Sequence, residues 1–538
     1  MAADQDTNSP ATSLMNGPGA SGIAPDRLAD VAIEVERLTG VVRAAAPQID
    51  FNDEPSLFAA TLDNNAAMTA DLALLDLAEA AERVATGAVS SVALTESCLA
   101  RAKAWQASRN CFIRIDADAA LAAARACDAE FKRGHRRGPL HGVPLAHKDM
   151  FYRAGKVSTG GTKILQDQVA TTTATVLQRL DAAGAIQIGV LNMSEFAAGP
   201  TGHNIHFGHC RNAFDAAHIP GGSSSGSAVA VAARAVFGAL GSDTGASIRL
   251  PAAYNGVTGL KPTYGRVSRH GAMPRSWSMD HVGPFGRSAR DCAMLLQAIA
   301  GHDANDATTS AHPVPDYVGA LGAERLSGLT IGIAEHGIAL EPEIAAAMDE
   351  SIRVLEQIGA KLVRVTLPDL SPLFRVGETI IKGEAAAMHR QWLQSRPQDY
   401  SNGVRLRIEG GLFLPATDYI DALRLRGVMT AKFIAETMDG IDLLHLPASA
   451  HLPPTIDESD MESSSSETLL GLFSKLTQFM RPFNFLGLPA ISVPCGLSSG
   501  GLPLAYQLVG HPFAEAALLR AVDAYQHASD HHRVVPTL

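Results

Sequence analysis

Cysteine is scarce and scattered in this 538-residue chain: Cys98, Cys111, Cys127, Cys210, Cys292 and Cys495 include no C-x-x-C pair and no close-set framework. A disulfide scaffold is therefore not expected, and a reducing, cytoplasmic setting is. Long apolar runs are missing too. The best candidate, Ala228 to Leu240, is cut by Arg234 and falls short of the ~18 residues that a membrane span requires, so no membrane partner is expected. The opening MAADQDTNSPATSLMNGPGASG has no basic stretch leading into an apolar one and does not read as a signal peptide. Basic residues form no dense run and the formal charge is −11, which argues against nucleic acid as a partner and leaves small neutral ligands as the better fit. No repeat with a period of 20–50 residues is visible.

What remains is an ordinary globular composition, 46% hydrophobic and 18% charged, able to bury a core over most of its length. Residues 1–24 are rich in Ser, Thr, Asn, Gly and Pro and read as a flexible tail. Leu28, Val31, Val35, Leu38 and Val42 then recur at helical spacing up to Pro47, so residues 25–69 read as a helical segment and linker. A main domain is expected from about residue 70 to 538. Its first part reads as helical through Leu121–Phe131. Beyond residue 140 short apolar strands alternate with helices. Thr173–Ala183 precedes the strand Ile186–Leu191. Leu329–Ala334, a helix over Ile344–Ile358 and Lys361–Val365 form a βαβ unit. Ala490–Val493 and Ala505–Val509 read as strands before a closing helix, Ala514–Tyr525. Such alternation predicts an α/β fold with a largely parallel sheet covered by helices.

The chemistry concentrates in two glycine- and serine-rich turns, Pro220-Gly-Gly-Ser-Ser-Ser-Gly-Ser227 and Gly241-Ser-Asp-Thr-Gly-Ala-Ser-Ile-Arg249, on either side of the helix-like run Ala228–Leu240. Glycine lets backbone approach a ligand, and clustered serines supply hydroxyls without bulk. A phosphate cradle is one option, but no G-K-[ST] follows. A nucleophile elbow centred on Ser224 in Gly222-Ser-Ser-Ser-Gly226 is another, although Ala216–Gly222 makes a poor preceding strand. The third is a serine activated by a base other than histidine. Gly142-Val-Pro-Leu-Ala-His-Lys-Asp149 offers one, because a lysine ending an apolar run, if buried, loses proton affinity and becomes a usable base. His147 is the rival base. His203, His206 and His209, beside Cys210, recur with period three, which suits neither a helical ligand pair nor a strand, so a metal centre is not expected there.

Lys148 in GVPLAHKD, Ser223 in GGSSSGS and Ser247 in GSDTGASIRLPAAYNGVTGLKPTYG closely resemble the signature of the amidase signature family of serine hydrolases. Asn192–Phe196, Phe207-Gly208, Arg211-Asn212 and the closing RPFNFLGLPAISVPCG and LPLAYQLVGHPF are also similar, so the resemblance spans about residue 70 to the C-terminus. It implies a twisted mixed sheet surrounded by helices, with a variable substrate-facing insertion around 300–480. It further implies a Ser-cisSer-Lys triad: Ser247 as nucleophile, Ser223 as proton shuttle after a cis peptide from Gly222, and Lys148 as neutral base. The N–H groups of Thr244, Gly245, Ala246 and Ser247 would form the oxyanion hole. Asp243 and Arg249 would support that loop.

Two positions depart from the family pattern, Ala246 and Ser225 each standing where glycine is usual; a positive φ at residue 246 would bear directly on the oxyanion hole. The implied activity is hydrolysis of a small-molecule carboxylic amide with no metal or organic cofactor, by a chain that dimerises. The alternative is the glutaminase subunit of a tRNA-dependent amidotransferase, against which Thr477 occupies a position where an aspartate would hold the glutamine amino group. A non-catalytic scaffold would be expected to lack one of Lys148, Ser223 and Ser247. Residues 25–55 lie outside the resemblance and look like the small helical subunit that accompanies some of these enzymes, here fused in cis.

Overall fold

Eleven strands build one mixed sheet in the computed structural model, which describes residues 71–538; the expectations for the tail and the helical segment before residue 70 lie outside the described residues. In chain order the strands are β1 (Phe112–Ile115), β2 (Pro144–Lys148), β3 (Ile186–Leu191), β4 (Ala239–Asp243), β5 (Thr258–Lys261), β6 (His281–Gly286), β7 (Thr330–Glu335), β8 (Lys361–Thr366), β9 (Leu443–Pro447), β10 (Ala490–Leu497) and β11 (Pro503–Gly510). They lie side by side as β1-β3-β2-β4-β6-β5-β10-β11-β9-β7-β8.

The expected alternation is present, but a largely parallel sheet is not. β2 pairs in parallel with β3 and β4, and β7 with β8 and β9, giving one parallel block toward each edge. Between them β4, β6, β5, β10, β11 and β9 pair antiparallel in turn. Parallel neighbours need a crossover of a dozen or more residues, which the helices Thr175–Ala182, Ser225–Ala232 and Pro342–Gln357 provide. β10 and β11 need only the short link 498–502 and form a hairpin. The segment 300–480 gives β7, β8 and β9 to the sheet and places the helices Ser371–Ser395, Asn402–Glu409, Ala416–Thr437 and Ser466–Thr477 beside them. Ser465, in the serine run, caps the last of these by accepting the Thr468 N–H.

Two sequence expectations fail for physical reasons. The Ala228–Leu240 run is not one helix. The helix Ser225–Ala232 ends before Arg234, whose φ is 59°, and the chain re-enters the sheet as β4 at Ala239. Every residue of both elements is buried, so their apolar pattern has no period by which to tell helix from strand. Likewise β1 interrupts the supposedly helical first part, being too short to show alternation.

Small residues in the Ser225–Ala232 helix let it press onto neighbouring backbone. A Cβ on Gly226 would lie 2.2 Å from the Cys111 carbonyl oxygen and 2.6 Å from the Asn192 nitrogen. At the other end of the described chain, Arg287 donates from Nη2 to the Ala73 carbonyl at 2.8 Å and fixes the first residues to the sheet. All six cysteines are free and buried. Among the described residues no helix is long and apolar enough to cross a membrane.

Gly226→Ala is expected to destabilise the protein by roughly 2–4 kcal/mol in chemical denaturation, because backbone must move to admit one methyl group. Gly427→Ala, in the Ala416–Thr437 helix with open space around it, should instead stabilise by about 0.5–1 kcal/mol.

Candidate active site

β2 and β4 run parallel and adjacent, with His147 level with Leu240, so their carboxyl ends emerge together on one edge of the sheet. This is the edge where open α/β sheets present ligand sites. β2 delivers Lys148 there, and β4 runs into the loop 244–248 that carries Ser247. The helix beginning at Ser225 brings Ser223 and Ser224 to the same place through its leading turn.

Lys148 is wholly buried. Its Nζ lies 2.6 Å from Ser223 Oγ, 2.9 Å from Ser242 Oγ and 3.1 Å from Ser224 Oγ. Burial pulls its proton affinity down to about 7, with the charges of Asp280 and Asp243 opposing only in part. His147 faces the other side of the strand, its Nδ1 3.1 Å from Gln187 Oε1, and burial takes it down to about 3. The peptide between Gly222 and Ser223 is cis.

Ser223 and Ser224 are fully buried, whereas Ser247 is partly exposed. Ser224 donates to the Ser242 carbonyl at 3.1 Å, and no strand precedes its turn. It therefore lacks the exposure that a nucleophile elbow gives its serine. The Ser247 loop is framed by a buried pair: Arg249 donates from Nε to Asp243 Oδ2 at 3.0 Å and from Nη2 to Asp243 Oδ1 at 3.1 Å. The Asn484 amide donates to the Asp243 carbonyl and to Oδ1, each at 2.8 Å, and accepts from Arg249 Nη2 at 2.7 Å. The guanidinium beside Asp243 offsets its burial and holds that carboxyl well below the usual carboxylate range.

Within the loop, the N–H groups of Ile248 and Arg249 donate to Asp243 Oδ2 at 3.1 and 3.4 Å. Those of Gly245, Ala246 and Ser247 donate to no acceptor among the described residues. The Thr244 hydroxyl donates to Asp280 Oδ1 at 2.6 Å. Ala246 adopts φ 154°, a backbone region that favours glycine, and this is where glycine is usual in the family pattern.

The three histidines of GHNIHFGHC do not converge. His203 Nε2 lies 3.2 Å from the Ile456 carbonyl, His206 Nε2 lies 3.0 Å from Glu195 Oε1, and His209 Nδ1 accepts from the Asn204 N–H at 3.0 Å. Four residues near Ser247 were not singled out from the sequence. Ser242 could have been, since alternation along β4 turns it toward Lys148. Arg275, Arg407 and Arg481 border the same small cavity as Ser247 but come from three distant segments, and only the fold collects them.

Residues 93–519 match the family model described as Amidase. A glutamyl-tRNA(Gln) amidotransferase subunit of Chloroflexus aggregans is 39% identical over 492 residues, covering 87% of this chain and 99% of the relative. Among solved structures, one described as a vestigial protein complex revealing the origins of an s-triazine catabolic enzyme aligns with a TM-score of 0.78 at 34% identity, covering 84% of this chain and 98% of the other. The native peptide amidase of Stenotrophomonas maltophilia aligns with a TM-score of 0.74 at 30% identity, covering 84% and 96%. A family match over most of the length, near-complete coverage of relatives and a common architecture agree: this chain belongs to the amidase family.

Proposed function

We propose that the protein hydrolyses a carboxamide through an acyl-enzyme on Ser247. The observation that carries this reading is a wholly buried lysine amine 2.6 Å from the hydroxyl of Ser223. A neutral amine has two N–H groups and one lone pair, which match three surrounding hydroxyls: Lys148 donates to Ser224 and Ser242 and accepts from Ser223. Ser247 Oγ attacks the carbonyl carbon while its proton passes to Ser223, whose own proton moves to Lys148. The oxyanion forms against the N–H groups of residues 244–247, donors each worth roughly 10²–10³ in rate in other serine hydrolases. Collapse breaks the C–N bond, and the ammonia or amine leaves with the proton returned through Ser223. Water then repeats the attack on the ester and frees the acid and Ser247.

A second reading has its own support. Relatives such as that of Chloroflexus aggregans carry the name of an amidotransferase subunit, which favours glutamine as the amide and a partner as the destination of the ammonia more directly than it favours a free-standing hydrolase. Thr477, bordering the small cavity at Ser247, stands where that reading calls for an aspartate, and its hydroxyl donates to the Phe473 carbonyl at 2.7 Å. Ammonia release from glutamine, measured with and without candidate partner proteins, separates the two.

Ser247→Ala is expected to lower ammonia release by at least about a thousandfold with the unfolding transition unchanged within ~0.5 kcal/mol. A fluorophosphonate probe should label Ser247 in the wild type, and a label found on Ser224 would overturn the assignment.

Because the base must be neutral, kcat/KM should fall as pH drops through about 7, and Lys148→Ala should be severe at every pH while His147→Ala is mild. Stability should follow the same group. Its folded proton affinity lies below the unfolded value near 10.4, so the wild type loses stability relative to Lys148→Met as pH falls from that value to about 7, and no further below. A flat difference in stability across that window would exclude the depressed amine.

A further inference from the structure

One cluster of metal-ligating side chains lies outside the site described above. Among the described residues, three ligand atoms from His, Cys or carboxylate groups come within 4.8 Å of one another only at Cys127, Glu130 and His141. Cys127 and Glu130 stand three residues apart on the helix Ala117–Lys132, so they share a face. His141 comes from the turn that leads into β2 at Pro144. Cys127 and His141 are each 2% exposed, whereas solvent reaches the side chain of Glu130. The hydrolytic steps use none of the three.

The histidine is already oriented as a ligand. Its Nε2 lies 3.1 Å from the Cys127 carbonyl oxygen, which can only accept, so Nε2 carries the ring proton and Nδ1 keeps a free lone pair. Ligating histidines are ordinarily fixed in this way, through the nitrogen that the metal does not use. Nδ1 stands 4.0 Å from Glu130 Oε2 and accepts the Arg137 N–H at 3.3 Å, in agreement with that tautomer. Gly184 makes room for the ring: its φ is 88°, and a Cβ there would lie 2.7 Å from the His141 Cα and 3.1 Å from Nδ1. The Cys127 thiol has one weak contact, its Sγ 3.9 Å from the Gly184 carbonyl oxygen. The Arg137 guanidinium donates from Nε to Glu130 Oε2 at 2.8 Å and holds that carboxyl below its ordinary value, which keeps it ionised.

We propose that Cys127 Sγ, His141 Nδ1 and the Glu130 carboxylate bind one zinc ion, which joins the helix Ala117–Lys132 to the entry of β2. A thiolate, an imidazole and a carboxylate are donors that zinc takes, and at bond lengths of about 2.0–2.3 Å tetrahedral ligand atoms stand about 3.4–3.6 Å apart, so the cluster has to contract by roughly 1 Å. Water arriving past Glu130 fills the fourth position. Binding replaces the Cys127 S–H bond with S–Zn and releases that proton to solvent, a step that burial of the thiol makes harder. Arg137 opposes the metal twice, by its charge and through its N–H on Nδ1, while the Glu130 carboxylate has lone pairs for guanidinium and zinc together. The role is structural: the ion holds the strand that ends in Lys148 from its opposite end.

Cobalt(II), which takes the same ligands and is coloured, tests the proposal on the full chain after dialysis against EDTA. One equivalent should give a thiolate-to-cobalt charge-transfer band in the near ultraviolet, and added zinc should remove it. Cys127→Ala should abolish the band. Glu130→Gln should weaken zinc binding at least about tenfold in competition with a chromophoric chelator, and Arg137→Ala should tighten it about three- to tenfold. In the wild type, zinc should slow amide hydrogen exchange across residues 137–143, and in Glu130→Gln the same zinc concentration should slow it less. The absence of a charge-transfer band at one equivalent, a band that survives Cys127→Ala, or equal zinc affinity in the wild type and Glu130→Gln would overturn the site. Glu130 and Arg137 are partly exposed, so their variants decide the question even where Cys127→Ala does not fold.

Discussion

A single amine kept away from water organises this molecule. Lys148 ends a central strand with no carboxylate of the described residues against its Nζ, and three serine hydroxyls surround it instead. Any acid placed there would favour the charged form of the amine. The surroundings follow from that exclusion. The helix Ser225–Ala232 is made of small residues, so its leading turn sits within hydrogen-bond reach of the amine, and β4 lies parallel to β2, so Ser242 and the Ser247 loop start from the same level. The charges the site does hold are set one layer back. Asp243 is tied to Arg249 and Asn484, and Asp280 to Thr244 and backbone N–H groups, so each shapes the loop while its charge is largely satisfied by its own partners.

The residues that border Ser247 come from well-separated parts of the chain. Lys148, Ser223, Ser242 and Ser247 belong to the first parallel block and its crossovers. Arg407 and Arg481 come from the helical region around β9, and Arg275 from the connection between β5 and β6. A family can therefore keep one set of residues around the buried amine while the opposite wall changes. That is consistent with relatives whose descriptions name a peptide amidase in one case and part of an amidotransferase in another.

The same division decides what could be read from the sequence. Lys148, Ser223 and Ser247 each sit in a short motif whose spacing survives without a structure, and loop geometry, including the cis bond after Gly222, came with the resemblance. β7, β8, β10 and β11 stood out as short apolar runs with turn residues or helix-like patterns on either side. β4 was hidden because a fully buried strand following a fully buried helix offers no polar face to mark the change. The sheet's antiparallel centre was hidden because strand direction is set by partners distant in sequence. Arg275 and Arg407 are single residues that nothing local distinguishes from the chain's other basic residues, and Arg481, although it opens the segment RPFNFLGLPAISVPCG, has nothing beside it in sequence that ties it to Ser247.

One contact joins the Ser247 loop to the wall opposite it. Gly245 lies so close to Arg481 that a Cβ there would stand 3.1 Å from its Nε. Arg481 thus forms one wall of the loop to which the proposed mechanism gives the oxyanion. For protein engineering, position 481 and the loop are then a single coordinate. A screen that trades Arg481 for another side chain therefore changes the packing of the loop as well.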